Sequence, residues 1–320
     1  MRVLITGGFG FVGGRLAQHL QQLGHHVVLG SRSVSSSPDR ELPEASVAVV
    51  DWANIDALKK ICDGVDVVIQ AAGMNARACE AHPLRALEVN GLNTARLLEA
   101  AIAVNVGRFV YLSTAHVYAS PLVGSISENT CPRNLHPYAT SHLAGENPVL
   151  RAGLEGLIQG LVVRLSNAFG APTHKGVDCW RLLVNDLCKQ SVETGQINLR
   201  SSGSRQRDFI AMTEVCRTLE RLCSSSIKIP QPGIVNLGSG VAQSVMGMAQ
   251  LVQSRCTQIL GFEPELRRPT VIDEPHEELD YGTDRLIDMG IQITADNDSE
   301  IDRLLTFCHA TFKKPRSPLQ

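Results

Sequence analysis

A glycine-rich segment close to the N-terminus constrains the fold of this chain more than any other feature. Residues 7–14 follow a short apolar run at 3–6 and open a helical pattern of apolar residues over 11–23. Glycines at this spacing let the backbone turn tightly, approach a diphosphate and pack a helix closely against a strand. The start of the helix offers free N–H groups and a partial positive charge to phosphate. The segment therefore predicts a dinucleotide-binding site, and its candidate cofactor-binding residues are Gly7, Gly10, Phe11, Val12 and Gly13.

The first half of the chain alternates apolar, β-branched runs with helical patterns. The runs predict strands at 3–6, 27–30, 47–50, 65–70, 109–113 and 161–165. Apolar residues three and four positions apart predict helices at 11–23, 55–62, 85–104 and 138–152. Strands that alternate with crossover helices form a parallel sheet covered on both faces. We therefore expect an α/β fold with a Rossmann-type doubly wound parallel sheet.

The pattern loosens after residue 170. Helices are predicted at 180–190, 212–224, 243–259 and 300–311, a strand at 233–237 and a polar segment at 201–207. This arrangement is typical of a smaller, discontinuous C-terminal substrate domain. We expect residues 1–165 plus about 206–240 to form the dinucleotide-binding domain, and about 166–205 plus 241–320 to form the substrate domain.

The composition argues against several partners. The chain has 30 Lys and Arg against 32 Asp and Glu, a net charge of -2, without a long run of one sign. Neither a nucleic acid nor an anionic membrane is therefore an expected partner. No apolar stretch approaches the roughly 20 residues of a membrane span, so we expect a cytoplasmic protein. The nine cysteines contain no C-x-x-C pair, which favours free thiols and no metal centre.

The end of the second predicted strand bears on the choice of cofactor. A carboxylate there binds the ribose hydroxyl of NAD, but no acidic residue lies between Val27 and Pro38. Arg32 can instead pair with a 2′-phosphate, with hydroxyl groups from Ser31 and Ser33 beside it. We therefore predict NADP(H), with NAD(H) less favoured. After the third strand, Asp51, followed by Trp52, is either an acceptor for the adenine amino group or a solvated strand-end acid.

Several further segments resemble the extended short-chain dehydrogenase/reductase family, in particular its nucleotide-sugar epimerases, dehydratases and ketoreductases. The matching segments occur in the family's order over most of the chain. They are Ala71-Ala72-Gly73, Asn90-Gly91-Leu92-Asn93, Val110-Tyr111-Leu112-Ser113-Thr114-Ala115-His116-Val117-Tyr118, Tyr138-Ala139-Thr140-Ser141-His142, Arg164-Leu165-Ser166-Asn167-Ala168-Phe169-Gly170, Arg207-Asp208-Phe209-Ile210 and Asn236-Leu237-Gly238-Ser239-Gly240.

The resemblance implies roles for particular residues. The family's catalytic tyrosine falls on Tyr138, and the hydroxyl residue that orients the substrate oxygen falls on Thr114. The family's lysine, which lowers the pKa of the tyrosine and grips the nicotinamide ribose, is replaced here by His142. The implied cofactor contacts are Ala71, Ala72, Gly73, Asn90, Tyr138 and His142, and the implied substrate contacts are Ser113, Thr114, His116, Asn167, His174 and Arg207.

The histidine leaves two interpretations open. In the first, His142 binds the ribose and carries enough positive charge to keep Tyr138 working, best in the reductive direction, where the tyrosine donates a proton. In the second, the site has lost catalysis and only binds a dinucleotide.

The second half of the chain bears on the substrate. In the family, residues at the positions of Asn167 and Arg207 contact a nucleotide diphosphate, and a guanidinium suits that ligand. Arg164 is either another such contact or a structural ion-pair partner, and Arg205 is either a phosphate contact or a solvated loop charge.

Three functions follow from the resemblance. The first is an NADPH-dependent reductase of a keto nucleotide sugar, most plausibly a 4-keto-6-deoxy sugar. The second is a 4-epimerase with tightly bound NAD, and the third is a non-catalytic NADP(H)-binding or sensing protein. A dehydratase is disfavoured because Ala115 and His116 replace its acid pair. The resemblance also implies a homodimer, through the predicted helices at 85–104 and 138–152.

Replacing Arg32 with aspartate tests the cofactor assignment. The new carboxylate should repel a 2′-phosphate and accept from a ribose hydroxyl, so the Arg32→Asp variant should prefer NADH. Titration of both reduced dinucleotides measures this preference. Unchanged selectivity would contradict the role of Arg32.

Overall fold

The structure is a computed structural model that describes residues 1–32, 42, 45–269, 277–294 and 296–313. Its strands are β1 (Arg2–Thr6), β2 (His26–Ser31), β3 (Ser46–Val49), β4 (Val67–Gln70), β5 (Arg108–Thr114), β6 (Gly124–Ile126), β7 (Gln159–Leu165), β8 (Asn167–Phe169), β9 (Gln196–Asn198), β10 (Gln206–Ala211), β11 (Ile234–Leu237), β12 (Ala242–Ser244), β13 (Glu265–Arg267) and β14 (Leu279–Tyr281).

The α-helices are α1 (Phe11–Gln22), α2 (Ile55–Cys62), α3 (Ala76–Ala81), α4 (Pro83–Ala86), α5 (Asn93–Ala103), α6 (Pro137–Leu154), α7 (Leu183–Thr194), α8 (Met212–Cys223), α9 (Val245–Leu260), α10 (Asp284–Asp288) and α11 (Asn297–Phe312). A π-helical segment, Leu87–Leu92, joins α4 to α5, and a short 3-10 turn, Ala115–Val117, follows β5.

A seven-stranded parallel sheet in the order β11-β7-β5-β4-β1-β2-β3 forms the centre of the fold. Its faces are covered by two apolar clusters because alternate residues of a strand point to opposite sides. Val3 and Ile5 of β1 pack with α1 and α8, whereas Leu4 packs with α2, α5 and α6. The predicted Rossmann-type doubly wound fold is confirmed. The strand order reverses between β1 and β4, where such sheets open a crevice for ligands.

The second half of the chain adds smaller sheets and its own core. β12, β10 and β8 form one sheet, while β13 pairs with β9 and β14 pairs with β6. Residues of α7, α9 and α11 bury a third apolar cluster. The division of the chain into two domains, with the boundaries given above, stays a prediction.

Some predicted elements differ from the observed ones. The helix expected at 85–104 contains the π-helical segment, in which Gly91 lies against Ala144 of α6. The helix expected at 180–190 begins at Leu183, and it ends where Gly195 adopts a φ of 70°. The strands of three residues, such as β8 and β9, were not predicted because so few positions carry no periodic signal.

Two general features concern the whole described chain. Within the described ranges, no helix combines the length and hydropathy that a membrane span requires. All nine cysteines are free thiols, and every one except Cys131 is buried.

A buried ion pair ties the last helix to the first. Arg15 of α1 donates from Nη1 to Oε1 of Glu300 at 2.7 Å and from Nη2 to Oε2 at 3.2 Å. The side chain of Glu300 is 1% exposed, and it also accepts from the backbone N–H groups of Ala171 and Thr213, at 3.2 Å each. Burial raises the pKa of Glu300, but Arg15 and Thr213 outweigh it and hold that pKa below its usual 4.5.

Replacing Glu300 tests the strength of this pair. Glu300→Gln leaves the Arg15 guanidinium buried without a counter-charge, so the free energy of unfolding at pH 7 should fall by about 3 kcal/mol. The matched control, Glu155→Gln in the exposed Arg151–Glu155 pair, should cost under about 0.5 kcal/mol. Urea denaturation measures both.

The effect should also depend on pH. Because the pKa of Glu300 is lowered in the folded protein, its stabilisation is present above pH 4.5 and is lost as the pH falls below that value. Equal stability of wild type and Glu300→Gln at pH 7 would contradict the role of the pair.

Candidate active site

The glycine-rich turn leaves the first turn of α1 open to a ligand. Gly7 has a φ of 67°, and a Cβ there would lie 2.9 Å from the backbone of Ala71. Gly10 is the N-cap residue directly before α1, and its N–H donates to the Gly7 carbonyl at 2.8 Å. No side chain caps the helix. A Cβ on Gly13 would collide with the same carbonyl. The uncapped N–H groups and the close backbone packing fit the diphosphate of a dinucleotide.

The loop after β4 lines the same crevice. Ala71, Ala72 and Gly73 follow the carboxyl end of β4, as predicted for cofactor contacts. Asn90 is fully buried and accepts from the N–H of Met74 at 3.0 Å through its Oδ1. The Asn90 side chain thus helps to hold the loop after β4 in place through this hydrogen bond.

The residues predicted to bind the adenosine half of the dinucleotide differ in their exposure to solvent. Ser31 ends β2, and Arg32 is exposed beside it. Ser33 lies outside the described residues. Asp51 is exposed and accepts from the N–H of Ala53 at 3.1 Å, while Trp52 packs against the core. Their roles at a cofactor stay predictions.

Tyr138 and Thr114 meet at the substrate side of the crevice. Thr114 ends β5, and its Oγ1 accepts from the N–H of His116 at 3.1 Å. Tyr138 lies in the first turn of α6, and its N–H donates at 3.1 Å to Nδ1 of His136, the residue that caps the helix. Burial raises the pKa of Tyr138, and a hydrogen bond with Thr114 lowers it. Both side chains line a cavity of about 350 Å³.

His142 stands one turn after Tyr138 and is buried. The centroids of the two rings are 4.6 Å apart, with an edge-to-face angle of 72°. Nδ1 of His142 lies 3.0 Å from the hydroxyl of Tyr111. Burial lowers the pKa of His142 to about 4, so the ring is neutral at pH 7. This disfavours the interpretation in which His142 supplies positive charge to Tyr138, and no cation in the described part of the chain affects the pKa of Tyr138.

A buried ion pair lies next to Ser113, near the end of β5. Arg164 of β7 donates from Nη2 to Oε2 of Glu146 at 2.6 Å and from Nε to Oε1 at 3.1 Å. Ser113 donates to the same carboxylate at 2.5 Å, and Arg164 lies 4.7 Å from the ring centroid of Tyr118. Arg164 is therefore the structural ion-pair partner, one of the two interpretations left open above.

The cavity extends towards a group of cations. His116, Asn167 and Arg207 line it together with Arg181, which the sequence analysis did not single out. A neighbouring cavity of about 200 Å³ is also lined by His116, Asn167 and Arg207, and by Arg205 as well. Guanidinium groups at this end suit an anionic group of a ligand.

Two predicted substrate contacts, Asn167 and Ser113, line the first cavity but also hydrogen-bond within the protein, and a third, His174, lines neither cavity. The Asn167 amide donates at 2.9 Å to the carbonyl of Asp208, and Ser113 is engaged by Glu146. His174 lines neither cavity, and its Nδ1 accepts from the N–H of Gly176 at 3.2 Å.

Sequence reasoning missed His136, Tyr111 and Arg181. His136 precedes Pro137, and a polar residue before a proline at a helix start is a recognisable cap signal. Tyr111 and Arg181 reach the site through tertiary packing, which no local pattern indicates.

Two sequence comparisons relate this chain to known proteins. A model of the NAD dependent epimerase/dehydratase family matches residues 3–238. A dTDP-6-deoxy-L-talose 4-dehydrogenase (NAD(P)(+)) of Kitasatospora kifunensis is 30% identical over 261 residues, which are 78% of each chain. A putative UDP-glucose 4-epimerase of Methanocaldococcus jannaschii is 25% identical over 279 residues, 86% of each chain.

A solved structure shares the fold. UDP-glucuronic acid 4-epimerase from Bacillus cereus, in complex with UDP-glucuronic acid and NAD, superposes with a TM-score of 0.78 at 20% identity. The match covers 96% of this chain and 99% of that one.

A lysine at position 142 should restore the missing charge. The His142→Lys ammonium favours the ionised form of Tyr138, so its phenolate should form at a pH about one unit lower than in the wild type. Ultraviolet difference titration measures this, with Tyr138→Phe in each background to isolate the signal. His142→Gln adds no charge and serves as control; identical titrations of the lysine variant and the wild type would contradict the expected coupling.

Proposed function

Because the chain belongs to the NAD dependent epimerase/dehydratase family, we propose that it is a nicotinamide-dependent oxidoreductase that reduces a keto nucleotide sugar. The finer proposal is an NADPH-dependent reduction at C4, most plausibly of a 4-keto-6-deoxy sugar. The name of the Kitasatospora kifunensis relative describes the corresponding 4-dehydrogenase chemistry, which supports this reaction class.

The observation that carries the proposal is the raised pKa of Tyr138, which keeps its hydroxyl group protonated. Burial raises the pKa of Tyr138, and the neighbouring His142 is neutral at pH 7. A phenol in that state is a proton donor, and proton donation is what carbonyl reduction requires. Alcohol oxidation would require the phenolate, which burial disfavours by more than the hydrogen bond with Thr114 favours it.

The two hydroxyl groups then have distinct tasks. When bound, the reduced nicotinamide supplies a hydride to the carbonyl carbon. The Thr114 oxygen accepts from the His116 N–H, and the Thr114 hydroxyl forms a hydrogen bond with Tyr138. With substrate bound, the Thr114 hydroxyl would donate to the carbonyl oxygen that Tyr138 protonates. Tyr138 donates its proton to that oxygen as the new C–H bond forms, which completes the alcohol.

The cationic end of the cavity supports a nucleotide diphosphate on the substrate. Arg207 and Arg181 line the cavity that holds Thr114 and Tyr138, and Arg205 lines the adjoining one. Forked guanidinium donors bind phosphate oxygens well. The Bacillus cereus neighbour holds UDP-glucuronic acid.

NADPH as the physiological cofactor is supported by Arg32 and by the absence of an acid at the end of β2. The Bacillus cereus neighbour holds NAD, and the name of the Kitasatospora kifunensis relative admits both dinucleotides. Identification of any co-purifying dinucleotide, followed by titration with NADPH and NADH, tests this choice. Tightly retained NAD would overturn it and favour the 4-epimerase, to which the Methanocaldococcus jannaschii relative points.

We also propose a homodimer. The face that carries α4 and the π-helical segment exposes Leu84, Leu87 and Leu92, with Leu84 84% exposed. Pairing of this face in two copies would remove apolar surface from water. Sedimentation equilibrium at the mass of one chain would oppose the proposal.

Removing the phenolic hydroxyl tests the catalytic assignment. Tyr138→Phe should lower the turnover of a 4-keto nucleotide sugar by at least about 100-fold, because the proton donor is lost. The dissociation constant of NADPH, measured by its fluorescence, should stay within about twofold because the ring remains. Full turnover by Tyr138→Phe would refute the role, and absence of turnover in the wild type with intact NADPH binding would favour the non-catalytic alternative.

A further inference from the structure

A segment between β8 and α7 crosses the crevice, and we call residues 171–178 the strap. Its first residue is held on both sides. The Ala171 N–H donates to Glu300 at 3.2 Å, and the Ala171 carbonyl accepts from Arg15 at 2.6 Å. Just beyond the strap, Trp180 stacks on Phe307 with ring centroids 6.0 Å apart. Both ends of the strap are thus fixed to the body of the protein.

The strap touches the glycine-rich segment 7–14 at Gly14, which lies in α1. Thr173 is buried, and a Cβ added to Gly14 would lie 3.1 Å from its Oγ1. On the other side of the turn, Gly7 packs against the backbone of Ala71. The glycine-rich turn therefore contacts both the strap and the loop that follows β4.

The far end of the strap meets that same loop. Nδ2 of Asn75 donates to Oδ2 of Asp178 at 3.0 Å, and both residues are exposed. The contacts therefore close a ring: the glycine-rich turn, the strap, the Asn75–Asp178 hydrogen bond and the loop 71–75. Two of its three contacts are close packing at Gly14 and at Gly7, and the third is a single surface hydrogen bond.

The ring lies across the path of the cofactor. A dinucleotide bound as proposed would extend from the end of β2 to the Tyr138 site, with its diphosphate at the first turn of α1, within the ring. Gly73 lies beside His142, since a Cβ there would be 4.0 Å from the ring carbon Cε1. The loop 71–75 thus borders the nicotinamide end, and the strap faces it across the crevice.

We propose that the Asn75–Asp178 hydrogen bond is a latch that sets how fast the dinucleotide enters and leaves. This rests on the dinucleotide site of the proposed function and adds its kinetic control. The latch breaks without disturbing buried contacts, so it is the place where the ring opens. A reductase exchanges its dinucleotide in every cycle, whereas an epimerase retains it, so the strength of this bond favours one mode or the other.

Substitutions between asparagine and aspartate at positions 75 and 178 test the latch, because the two side chains have nearly the same size. Asn75 also caps α3 by accepting from the N–H of Ala78 at 2.9 Å, and Asn75→Asp keeps that acceptor. The substitution removes the donor and places two carboxylates face to face, which should open the ring. The double variant Asn75→Asp with Asp178→Asn restores a donor–acceptor pair with the roles reversed. Asn198→Asp, at the exposed last residue of β9, adds the same charge away from the crevice.

Stopped-flow fluorescence of NADPH measures its association rate on mixing with the protein and its dissociation rate on displacement by excess NADP. The same two measurements are made with NADH and NAD. In Asn75→Asp, association and dissociation should both be roughly three- to tenfold faster, with the dissociation constant within about twofold. The double variant should return to wild-type rates, and Asn198→Asp should not change them.

Each other outcome overturns a defined statement. Faster dissociation with a proportionally weaker dissociation constant means that Asn75 contacts the dinucleotide directly, and it refutes a latch. Unchanged rates in Asn75→Asp with normal binding also refute the latch and leave the proposed function standing. Failure of the wild type to bind either dinucleotide refutes both.

Discussion

The crevice depends on one contact that requires a residue without a side chain. Gly7 has a positive φ and lies against the backbone of Ala71, at a distance where a Cβ would not fit. Through this contact the turn after β1 seats against the loop after β4, at the point where the sheet order reverses. α1 can then begin without a side-chain cap, so that its N–H groups face the crevice. The placement of Thr114 at the end of β5 follows, because β5 is hydrogen-bonded to β4.

Much of this architecture could be predicted from local patterns, and the rest could not for a physical reason. The strands of the central sheet are continuous apolar runs because both of their faces are buried, and the glycine spacing and the Tyr138 segment are local signals. The short strands have too few residues for a periodic signal. The contacts that complete the site join distant positions: Asn75 and Asp178 are 103 residues apart, and Ser113 and Glu146 are 33 apart. Burial of His142 could not be inferred from its identity, and that burial decides its charge.

The surroundings of Tyr138 and Thr114 carry little net charge. Glu146 and Arg164 lie beneath Ser113, but they neutralise each other through two hydrogen bonds. His142 is neutral at pH 7 and contacts Tyr111 and Tyr138 through its ring. The arginines lie further out, where they line the cavities instead of touching the phenol. Under the proposed function, these arginines would bind the anionic part of the substrate while Tyr138 and Thr114 act on its carbonyl group.

The ion pair between Arg15 and Glu300 spans 285 residues of sequence. A chain emerges from the ribosome N-terminus first, so α1 is complete long before its carboxylate partner is synthesised. Until α11 docks, the guanidinium of Arg15 has no buried counter-charge, and Ala171 and Thr213 lack the acceptor that holds them. A chain that stops short of Glu300 therefore lacks the one carboxylate that Arg15 of α1, Thr213 of α8 and Ala171 of the strap share.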